Sequence, residues 1–162
     1  VFAADTSADP NAKPAFDSAT AKVIAAAGGA DNAAHAIARA EFDASMGSVI
    51  DTFSADGETR IVILGLGKSA GLSADTLRFV GGVAGRKLAA AKATAATIDL
   101  LPALKAAAAA AKAAKNAKPD VAPALSPAAA GSAFGEGLGL IGWVCDAFKG
   151  TVTKKKDANG ND

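Results

Sequence analysis

The first residues that invite chemistry are Gly65-Leu66-Gly67-Lys68-Ser69, placed directly after the apolar run Ile61-Val62-Ile63-Leu64. A glycine-rich turn leaving a strand can present backbone amides to a phosphate. A phosphate-binding loop needs a further glycine five positions before Gly67, where this chain has Val62. The dinucleotide spacing G-x-G-x-x-A is met by Gly65, Gly67 and Ala70. That pattern also needs the helix to open within the glycines and an acidic residue about 20 positions on. Here the first helix cap is Ser73, and Asp99 follows by more than about 30 positions. The spacing therefore favours a tight turn whose glycines supply unusual dihedrals.

The other candidates are sparse. Asp51, Asp56 and Glu58 cluster around a turn and read as solvated charges, because no histidine or second acidic group completes a metal or acid–base set. His35 is the single histidine and reads as a half-exposed helical or loop residue without ligand partners. Cys145 is the single cysteine; it excludes an internal disulfide and lies on an apolar helical face as a small hydrophobe. Lys154, Lys155 and Lys156 read as tail residues. The chain assigns no catalytic, cofactor-binding or metal-binding residue.

Composition agrees with this thin inventory. The 162 residues include 45 alanines and 17 glycines, so the 51% hydrophobic fraction overstates what a core can bury. The 17 basic and 16 acidic residues nearly cancel, which gives no electrostatic footprint for nucleic acid. Lysine or glycine interrupts each apolar stretch short of the ~20 residues of a membrane span. Val1-Phe2-Ala3-Ala4 meets Asp5 with no basic segment before it, unlike a signal peptide.

The elements that would position these residues can be read in order. Val1 to Ala4 is an expected strand, and Phe16 to Ala27 a helix stopped by Gly28-Gly29. Ser48 to Phe53 and Arg60 to Leu64 flank Asp56-Gly57 as a hairpin, the second run being apolar enough for a central strand. Ser73 caps a long helix carrying Leu77, Val80 and Leu88, in which one of Gly81, Gly82 and Gly85 is expected to pack on the sheet. Thr94 to Leu100 is expected as a further strand, closing a right-handed parallel βαβ unit. Lys105 to Lys118 reads as a solvated helix or insertion, expected to stay largely exposed. Ser126-Pro127 opens a last helix to about Phe148, with Phe134, Leu138, Ile141, Cys145 and Phe148 on one face. Gly135, Gly137, Gly139 and Gly142 permit close approach to a neighbour there, and Trp143 adds to that surface. Burial is expected at Ile61 to Leu64, Leu77, Val80, Leu88, Ile98, Leu138, Ile141 and Phe148.

In sequence order, RIVILGLGK (Arg60 to Lys68), Gly71-Leu72-Ser73, Leu77-Arg78 and Gly81-Gly82 resemble the amino-terminal domain of leucyl aminopeptidases, peptidase family M17. The opening VFAAD and the late residues Glu136-Gly137, Gly142, Asp146, Phe148-Lys149 and Lys154 to Lys156 add to the resemblance. The Ala/Lys segment from Lys105 to Pro119 departs from it. The resemblance implies an α/β fold, a macro-domain-like three-layer sandwich with a mixed, mostly parallel sheet. It also implies one domain over residues 1–150, with an Ala/Lys-rich insertion near 103–125. Residues 151–162 would be a polar tail or linker toward a catalytic domain. Full-length members form hexamers and cleave peptides with two divalent ions, zinc or manganese, held in that other domain; none is implied for this chain. The family's Asn-Thr-Asp-Ala-Glu-Gly-Arg motif is absent, so no catalytic residue carries over. The expected function is thus a non-catalytic N-terminal domain or fragment serving assembly and substrate access. The alternatives are a macro-type module for an ADP-ribose-like ligand, or a structural subunit that has lost its catalytic domain. The expected partners are copies of the chain and, for the full-length protein, peptides, with neither nucleic acid nor membrane. A reducing soluble compartment, cytoplasm or organelle matrix, is the expected location.

Overall fold

The computed structural model describes residues 2–3, 18–39, 42–117 and 124–141. Its elements are β1 (Phe2–Ala3), α1 (Ser18–Ala26), α2 (Ala30–Arg39), β2 (Val49–Phe53) and β3 (Arg60–Gly65). A 3-10 turn (Ser69–Gly71) follows, then α3 (Ala74–Ala90), α4 (Leu101–Ala117) and α5 (Pro127–Leu140).

The sheet has the order β1-β3-β2. β2 and β3 form an antiparallel hairpin from Val49↔Leu64 to Phe53↔Arg60, while β1 meets β3 in parallel at Leu64 and Gly65 only. Alternation along β3 divides its apolar residues between two faces. Ile61 and Ile63 pack with Ile24, Ala33, Phe42 and Ile50, under α1 and α2. Leu64 and Leu66 pack with Leu77, Val80, Leu104 and Phe134, under α3, α4 and α5. Both faces of so small a sheet are therefore covered, and this explains why β3 reads as a continuous apolar run.

Helix ends follow their caps. The Ser73 hydroxyl accepts from the Thr76 amide at 3.2 Å, and the Ser126 hydroxyl from the Ala129 amide at 3.2 Å, with Pro127 at the first turn. The Asp99 carboxylate accepts from the Leu101 amide at 3.0 Å and so caps α4.

The structure corrects several expectations. Among the described residues the mixed, mostly parallel sheet of a macro-like sandwich is not formed: the sheet is in essence one antiparallel hairpin, with parallel pairing confined to two residues. Thr94 to Leu100 is not a strand, so the βαβ unit is not closed. Three of its seven positions are alanine or aspartate, which pack poorly on a pleated surface, and β3 already has neighbours on both edges at its C-terminal end. Ile98 is accordingly 39% exposed rather than buried.

The glycines of α3 pack on α5, not on the sheet. A Cβ on Gly81 would meet the Phe134 carbonyl, one on Gly85 the Ile141 side chain, and one on Gly137 the Arg78 backbone. The two helices approach through these bare positions, while Gly131, Gly135 and Gly139 face open space. Arg78 ties the same pair of helices, binding Glu136 at 2.6 Å and Asp75 at 2.8 Å. α4 keeps Lys105, Lys112 and Lys115 exposed, yet it is not merely solvated: Pro102, Leu104 and Ala107 bury one side of it. Leu88, Leu138 and Ile141 are half-buried. Gly142, Trp143, Cys145, Phe148 and Lys154 to Lys156 lie outside the described residues.

Candidate functional site

The glycine turn after β3 is locked by its own backbone. The Gly65 amide donates to the Ser48 carbonyl at 2.8 Å, and the Gly67 amide to the Ala44 carbonyl at 2.9 Å. Gly67 has φ +74°, a conformation that costs an L side chain strain. Gly65 has no room for a Cβ against the Ser45 carbonyl and the Ser48 hydroxyl. Two amides that a phosphate would need are thus already engaged, and α3 begins only after the separate turn at Ser69–Gly71. This turn fastens β3 to residues 44–48.

The acidic residues around the hairpin are held apart. Asp56 is hydrogen-bonded by the Ser54 hydroxyl and, at 3.0 Å, by the Glu58 amide, which holds its carboxyl below the usual range. Asp51 is on another face, where Arg60 grips both of its oxygens at 2.8 and 2.6 Å. This hydrogen bonding, together with the charges of Arg60 and Lys87, lowers the Asp51 pKa against the opposing effect of partial burial. Lys87 Nζ of α3 stands 4.0 Å from the same carboxylate. Arg60 also lies 5.8 Å above the centre of the Phe53 ring. His35 is exposed on α2. Among the described residues no group of three or more His, Cys, Asp or Glu comes close enough to hold a metal ion.

Arg60 and Lys87, with Glu58 and Asp99, border a cleft of about 480 Å³. Its floor is Arg60, Ile61 and Val62 of β3; Val23 of α1 and Ala27 just after it form one wall, and Lys87 and Leu88 of α3 the other. The loop that replaces the expected strand, with Ala93, Thr97 and Asp99, closes its far side. Sequence reading missed this site because it placed a strand there. One signal was available: a hairpin centred on Asp56-Gly57 sets Arg60 diagonally across from Asp51, a reach that a long cation can span.

These features define a small helix-covered β-hairpin unit whose polar groups brace the fold and border a cleft; among the described residues no nucleophile is set against a base. Residues 13–117 match the cytosol aminopeptidase family, N-terminal domain, and the chain belongs to that family. The matched stretch spans α1 through α4; α5, which packs on α3, follows it. No curated protein and no solved structure gives a significant match to the chain. Among the described residues no helix is long and apolar enough to cross a membrane.

Proposed function

We propose that the chain is the non-catalytic N-terminal domain, or a fragment of it, of a leucyl-aminopeptidase-like metallo-exopeptidase. In this reading it serves assembly and substrate access beside a separate catalytic domain. The match over residues 13–117 carries the proposal. Chemistry supports it: two-metal hydrolysis needs several carboxylates converging on a pair of ions, whereas Asp51, Asp56 and Asp99 each serve a local structural bond. The two zinc or manganese ions, the hydrolysis of peptides and the hexameric assembly would then belong to the full-length protein. Residues 1–150 would act as the domain and 151–162 as the link onward. A reducing soluble compartment suits a chain with one cysteine. The reading as an ADP-ribose module rested on a shared macro-like sheet, which the described residues do not form.

Sequencing the parent reading frame beyond Asp162 tests this. A frame that continues into a two-metal peptidase domain supports the proposal. A stop codon shortly after Asp162 would leave the chain a structural subunit without its own catalytic partner.

A further inference from the structure

We draw no further inference here: the strongest candidate, the exposed apolar patch that Met46 of the 44–48 loop and Phe79 of α3 form beside Gly47, is an unpartnered face, and nothing in the structure shows what covers it.

Discussion

Arg60 reaches diagonally across the hairpin to hold both carboxylate oxygens of Asp51, through Nε at 2.8 Å and Nη2 at 2.6 Å. Asp51 stands opposite Val62 in the ladder and Arg60 opposite Phe53, so this clasp braces the two strands of the hairpin against each other. The Asp51 carboxyl is held below its ordinary value of 3.8, chiefly by the hydrogen bonds from Arg60. A depressed carboxyl contributes stability that is present above the unfolded-state pKa and is lost as pH falls through the folded-state value. Asp51→Asn is therefore expected to lower the melting temperature at pH 7. Its difference from the parent should shrink once the pH drops below 3.8, the ordinary value. Thermal melts of both proteins across that range check the sign; a gap that widens on acidification would contradict it.

The α3–α5 contact gives a prediction in which the same substitution changes sign with position. Gly137→Ala puts a methyl group against the Arg78 backbone, a rigid neighbour, and overpacking of this kind costs about 1–3 kcal/mol. Gly131→Ala and Gly135→Ala meet nothing within 4 Å. They should gain up to about 1 kcal/mol from helix propensity alone. Urea unfolding of the three variants measures this directly, and equal effects at all three positions would show that the two helices do not pack through Gly137.

Gly67→Ala should destabilise the chain by about 1 kcal/mol, because alanine is strained at φ +74°. ATP, NAD and ADP-ribose should leave the melting temperature of the parent unchanged, since the Gly65 and Gly67 amides are already bonded to Ser48 and Ala44. A thermal shift with ADP-ribose that disappears in Gly67→Ala would mean that the turn binds a phosphate.

The helix caps should each contribute a measurable share. Ser73→Ala and Ser126→Ala remove the side-chain acceptors of the Thr76 and Ala129 amides, and each should cost about 1 kcal/mol. The effects should add, because the two caps serve different helices. Chemical denaturation of the single and double variants checks both the size and the additivity.

What could be read from the sequence was local. Ser73, Ser126-Pro127, Gly28-Gly29 and Asp56-Gly57 act through neighbours in the chain, and the elements they bound start or stop where expected. The central place of β3 was legible too, because an apolar residue at every position needs cover on both faces. What failed was pairing at a distance. Nothing within Thr94 to Leu100 says whether an edge is free to receive it, and its alanines bury too little to force the matter. The α3 glycines announced a close approach but not its partner, which is α5 rather than the sheet. The cleft was hidden for the same reason, since it lies where that strand was expected.

The proposed role as a non-catalytic N-terminal domain is the central claim. It is tested most directly by assaying the purified chain with leucine amide in the presence of manganese or zinc, beside calorimetric titration of each ion. The account predicts no turnover above background and no stoichiometric, tight binding of either metal. Turnover that rises with saturation of a metal site on this chain, and that is lost on chelation, would contradict it.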